Sequence, residues 1–393
     1  MAVPRLRAFH GPAILSYGFR PFFLLGALHA GFSIPAWVLV HGGVLDLHTG
    51  FLPVDWHVHE MLFGYLAAVL AGFLLTAVPN WTGRLPVQGG PLLALVVLWL
   101  SGRVAILFSG MLGWVLTALV DCAFLAALGL AVGREIVAGR NWRNLKVLLP
   151  VSVLFVANLA FHLEVQFHGV SDISRRLGLA AAITLIMLIG GRIIPSFTRN
   201  WLVRENPGRL PAPFGRYDGL SIAVSVLALA VWSAAPERVL SAVLLGSAAV
   251  LQAIRLARWA GDRAVRDGLV FVLHLAYGFV PLGLALASAS AVAPGAVPVA
   301  AGTHALGSGA IGAMTLAVMV RATLGHTGRA LVAGPAAIVL FGAVFASAVL
   351  RILAAFDAQP MLIDLAGAAW ALAFLGFAAV FARALTRPRL AAR

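Results

Sequence analysis

The 393-residue chain is 61% hydrophobic and 11% charged. A soluble globular domain is excluded, because it would leave broad apolar surface in water. Its single cysteine, Cys122, rules out a disulfide framework and any cysteine-cluster metal site, leaving His, Met and carboxylates as metal ligands. The net charge of +14 sits in short segments between apolar runs, a pattern of membrane topology and not of a nucleic-acid surface.

Twelve apolar runs follow in order, at 20–41, 58–79, 91–109, 113–132, 147–167, 176–195, 217–234, 238–257, 267–290, 299–320, 331–355 and 361–384. Each is near the roughly 20 residues that a helix needs to cross hydrocarbon. The expectation is an all-α, polytopic membrane protein with twelve transmembrane helices in one domain. Met1 to Arg7 lacks the order of a cleavable signal and is read as uncleaved.

The first run carries His29 near mid-depth. The second opens on His57-Val-His59-Glu60. Two helical histidines so spaced point about 200° apart, so they share a metal only if His57 lies in the lead-in loop. Glu60 either orients a ligand or carries protons, or it is an N-terminal acid favoured by the helix dipole. In the fifth run His162, one turn after Asn158 and near Glu164, is a candidate metal ligand or proton-path residue. In the sixth, Gly190-Gly-Arg-Ile-Ile-Pro195 reads as a helix break holding Arg192. Arg192, with Arg199 beyond it, pairs with haem propionates or another anion, or serves as a positive-inside anchor. The ninth run carries His274 and Tyr277, and the tenth opens on His304, followed by Gly307, Gly309 and Gly312. His326 falls about 33 Å along the helix from His304 and cannot share its metal.

Shifting the sequence by 245 positions lays His59 on His304, Gly64 on Gly309 and Thr82-Gly-Arg84 on Thr327-Gly-Arg329, with 7 identities over the 26 positions from His59 to Arg84. The same shift carries His29 onto His274. Two histidines on facing helices can ligate a haem iron from either side, and His59 with His304 is the candidate pair; the alternative is two interfacial histidines bonded to water. The glycines after them either admit a flat macrocycle or allow close helix packing. Recurring ends at Pro79, Pro195 and Gly325 suggest three pseudo-repeated four-helix units. With both termini cytoplasmic, 23 of the 28 Lys and Arg lie inside, leaving Arg103, Arg175, Arg176, Arg238 and Arg351 outside.

Trp56-His-Val-His-Glu-Met-Leu-Phe-Gly64, Ala77-Val-Pro-Asn-Trp-Thr-Gly83, Gly190 to Asn200 and Met319 to Arg329 together resemble the NnrS family of bacterial membrane proteins. The resemblance runs over essentially the whole chain. It implies a protein of the bacterial cytoplasmic (inner) membrane that holds haem b and copper and is linked to nitric oxide, denitrification and resistance to nitrosative stress. Its motif histidines fall here on His57, His59, His304 and His326, with His162 and His274 as additions. The chain is more distantly similar to the catalytic subunits of haem–copper oxidases and nitric oxide reductases. It departs from them in lacking the adjacent His-His pair on the seventh span.

The expected function is binding and redox conversion of nitric oxide within the lipid bilayer, drawing on a quinol or other electron donor. Glu60, Glu164 and Tyr277 are the candidate proton carriers. The alternatives are a nitric oxide binding or sensing protein without turnover, and a twelve-span metal or solute transporter. No nucleic-acid partner is expected.

Overall fold

A computed structural model describes residues 9–357 and 359–390; Met1 to Arg7, with Arg5 and Arg7, and Arg393 lie outside the described residues. No strand occurs among the described residues, and twelve helical stretches are long and apolar enough to cross a membrane. They are α1 (Phe19–His41), α2 (Pro53–Thr82), α3 (Gly90–Leu107), α4 (Trp114–Ala138), α5 (Trp142–His168) and α6 (Ile173–Glu205). The second half continues with α7 (Arg216–Ala234), α8 (Val239–Arg263), α9 (Gly268–Val292), α10 (Val299–His326), α11 (Pro335–Phe356) and α12 (Pro360–Thr386).

Several of these helices outrun their apolar runs, because polar and proline residues extend a helix beyond the hydrocarbon level. Pro53 occupies the first turn of α2, where its missing N–H costs nothing, and so draws His57 into the helix. The break expected at Gly190 to Pro195 does not occur; α6 runs through Pro195 unbroken. The recurring Thr-Gly-Arg is a helix stop. Gly83 and Gly328 both take a φ of +76°, the left-handed turn that ends a helix. The preceding threonines bond back one turn, Thr82 Oγ1 to Val78 O at 2.9 Å and Thr327 Oγ1 to Thr323 O at 2.5 Å.

The two histidine-led helices share a second feature. In α2 the α winding of Pro53–His59 gives way to a π-helix at Glu60–Tyr65, and in α10 that of Val299–His304 gives way to one at Ala305–Ala313. Wider π turns free a backbone carbonyl and re-aim side chains, and they recur at functional sites. Here Gly64 O accepts the indole N–H of Trp99 at 3.0 Å.

The chain forms two compact units. The first comprises Met1–Gly178, Met319–Ala330 and Phe374–Arg393, and the second Leu179–Val318 and Leu331–Ala373. In the first, α1 packs on α2 and α4 on both α3 and α5, around buried Phe22, Phe23, Trp99 and Phe161. The head of α1 is tied to the tail of α12: Arg20 Nη1 donates to Ala384 O, Leu385 O and Arg387 O at 3.2, 3.0 and 2.7 Å. In the second, α8 packs against α7 and α9, while the π segment of α10 lies against α9 and α11.

Candidate metal centre

A polar cluster forms in the first unit where α2 changes its winding. His59 and Glu60 are both buried, with His59 Nδ1 3.3 Å from Glu60 Oε1. From α3, Arg103 donates through Nη1 to Glu60 Oε1 at 2.5 Å and through Nη2 to Asp121 Oδ1 of α4. From α1, His29 Nε2 lies 2.7 Å from Glu60 Oε2. On α5, Asn158 Nδ2 donates to Asp121 Oδ2 at 2.8 Å, which turns its Oδ1 toward His59 Nε2 at 3.0 Å. His162 Nε2 lies 3.1 Å from the same Asp121 Oδ2.

Gly64 makes the convergence possible: a Cβ there would come within 2.8 Å of both Arg103 Nη1 and His29 Nε2.

The arrangement calls for a cation. Both nitrogens of His59 face acceptor oxygens, Nδ1 toward Glu60 and Nε2 toward Asn158 and Asp121. A neutral imidazole has one N–H and cannot satisfy both sides. The charge count agrees: with both carboxylates ionised and the histidines neutral, Arg103 offsets one of two negative charges and leaves the other buried. Either a proton on a histidine or a metal ion closes the account.

The donor set fits a metal. His59 Nε2 and His162 Nε2 lie 3.2 and 3.1 Å from Asp121 Oδ2. Ligands held tetrahedrally at about 2.0–2.1 Å sit about 3.3 Å apart, close to these separations. Ligand atoms of all three residues fall within 4.8 Å of one another, the one such group of three among the described residues. Two imidazoles and a carboxylate suit copper, iron or zinc.

A cleft of about 250 Å³ reaches His162, lined among others by Phe51, Ser109, Trp114, Thr117 and Gln166. Phe51 lies over the ligands, its ring 5.3 Å from that of His59 and 5.6 Å from that of His162. Its loop is held by Gly50 N to Ser109 Oγ at 2.8 Å and Gly110 N to His48 O at 3.1 Å.

The other expected residues lie elsewhere. His57, now helical, stacks on Trp37 at 4.6 Å, on the side of α2 away from His59. Glu164 accepts from the backbone N–H groups of Asp172, Ile173 and Ser174 at 2.8, 3.1 and 3.1 Å, so its carboxylate is spent on the start of α6. His326 packs between Tyr17 and Phe19. Arg192 and Arg199 are exposed.

In the second unit His304 Nδ1 lies 2.7 Å from Ala300 O, which fixes the proton there and makes Nε2 the lone pair. That lone pair faces Arg351 Nη2 at 2.7 Å. Of the glycines after it, Gly309 and Gly312 pack on Phe279 and Trp370, which is the helix-packing use, whereas Gly307 borders open space. His274 Nε2 lies 2.8 Å from Thr198 Oγ1, and Tyr277 is bonded to Arg255 and Gln252 at 2.9 and 2.7 Å.

Sequence reasoning did not assign Arg103, Asp121 or Phe51 to the site. Arg103 and Asp121 carried a usable signal, since each is a charged residue inside an apolar run and so needs a buried partner. Phe51 carried none.

The fold and this cluster define a polytopic helical membrane protein with a buried cluster of histidines and carboxylates. The profile of the family described as NnrS protein matches residues 13–389, nearly the whole chain, and the chain belongs to that family. It is thereby a nitric-oxide-related membrane protein, of a family linked to haem and copper. Neither the curated proteins nor the solved structures contain a match to it.

Proposed function

We propose that this chain binds copper on His59, His162 and Asp121 and handles nitric oxide there, within the cytoplasmic membrane of a bacterium. The observation that carries the reading is the two-sided acceptor environment of His59 beside two carboxylates whose combined charge Arg103 alone does not neutralise. Copper, when bound, supplies a redox-active ion with affinity for small diatomic ligands. The chain's own residues do the rest: Arg103 holds both carboxylates in place, Glu60 fixes the His59 ring through Nδ1, Asn158 orients Asp121, and Phe51 shields the ligands. Haem, to which the family is also linked, would be held by His304, whose Nδ1 proton is held on Ala300 O so that Nε2 carries the lone pair, and it would supply a redox-active iron. Arg351 would then turn to the haem's carboxylates. His59 has no nitrogen left for that haem, so a bis-histidine pair with His304 is not part of the proposal.

The test is metal analysis and an anaerobic reduced-minus-oxidised spectrum of purified protein, with nitric oxide added afterwards. Asp121→Asn and His162→Ala are expected to lower copper affinity by at least about tenfold while leaving haem bands intact. His304→Ala is expected to remove haem and keep copper. A metal-free preparation from copper-supplied cells overturns the reading. Anaerobic turnover with a quinol separates a reductase-like enzyme from a protein that only binds nitric oxide. A second reading has one observation in its favour: paired buried acids and an arginine also serve ion-coupled transporters. Uptake into proteoliposomes decides between them.

A further inference from the structure

At one end of the first unit the head of α1 meets the tails of α10 and α12. Segments 9–20, 319–330 and 374–390 hold Arg20, Arg321, Arg329, Arg383, Arg387 and Arg389, with His10 and His326, and contain no Asp or Glu. The cations are gathered by backbone contacts. Besides the Arg20 clasp, Leu390 N donates to Thr327 O at 3.0 Å, which lays Arg389 along Gly328. Arg329 lies within electrostatic reach of Arg20, and both Arg20 and Arg389 within reach of His326.

Such a cluster repels itself unless an anion is supplied. Two polar atoms within it are buried with no partner among the described residues: Arg329 Nη1, and Thr323 Oγ1 on a fully buried side chain. Buried donors are almost always paired, so these point to a ligand. Guanidinium groups match phosphate oxygens in geometry and charge. The patch also lies where three membrane-spanning helices begin or end, the depth at which lipid headgroups sit.

We propose that this patch binds the phosphate of an anionic phospholipid, joining α1, α10 and α12 at the face that the positive-inside rule assigns to the cytoplasm. The site is independent of the metal centre.

The experiment compares thermal unfolding in nanodiscs of phosphatidylcholine with and without phosphatidylglycerol. Wild type is expected to gain about 2–4 °C with phosphatidylglycerol. Arg329→Gln/Arg389→Gln is expected to lose that gain while matching wild type in phosphatidylcholine alone. Arg134→Gln/Arg143→Gln, which removes the same charge at exposed positions, keeps it. Adding inorganic phosphate to protein in detergent separates the sources. A full gain from free phosphate, lost in the Arg329/Arg389 variant, keeps the phosphate site and overturns the lipid as its occupant. No gain in wild type, or an equal gain in the Arg329/Arg389 variant, overturns the proposal.

Discussion

Gly64 is the residue on which the cluster turns, because Arg103, His29 and Glu60 meet over its missing side chain. Gly64→Ala would set a methyl 2.8 Å from two of them. The expected result is a loss of about 1–3 kcal/mol in stability together with loss of copper. Gly307→Ala, with no atom within 4 Å of the new methyl, is expected to change neither. Denaturation midpoints and metal content check both. Arg103→Met removes the guanidinium that bridges Glu60 and Asp121. Breaking such a buried pair costs about 3–5 kcal/mol, and a midpoint within error of wild type would refute the role given to Arg103. His29, Glu60, His59 and His162 were legible as candidates because each is a polar group in or at the edge of an apolar run. Arg103 was not. A single arginine barely lowers the hydropathy of its run, and its partner Asp121 arrives only when α3 and α4 pack.

At the scale of the helix, the twelve spans were readable from composition alone, since hydrocarbon thickness fixes their length. The stops after Thr82 and Thr327 were visible as a repeated Thr-Gly-Arg without their cause, the left-handed glycine. The π windings were not legible, for Gly-rich apolar sequence serves α and π turns alike. They matter because one extra residue in the turn rotates everything beyond it by about 100°. Deleting Met61 from the Glu60–Tyr65 π turn is therefore expected to leave the helix content by circular dichroism unchanged. The same deletion swings His59 away from Asp121 and abolishes copper binding. Retained copper would mean that the winding does not position the ligand.

For the whole molecule, the expected orientation is drawn from charge placement, but the count of charges behind it changes on folding. Arg103 and Arg351 lie within α3 and α11 and contact the buried Asp121 and the half-buried His304. They are site residues, not loop charges. Arg255, assigned to the opposite face, is likewise drawn inside to Asp218. Orientation thus rests on fewer arginines than the sequence offered. Removal of the chain after Arg383 deletes the acceptors of Arg20. It is expected to destabilise the first unit and lower yield of folded protein, measured by size exclusion in detergent.

The Arg20 clasp also sets an order of manufacture. A ribosome delivers α1 into the bilayer well before α12, with a buried guanidinium whose three carbonyl acceptors belong to Ala384, Leu385 and Arg387. Those acceptors emerge only with the tail of α12. Until then α1 must wait with its cation at the membrane surface, and the unit that houses the histidine–carboxylate cluster is completed only once α12 has been made.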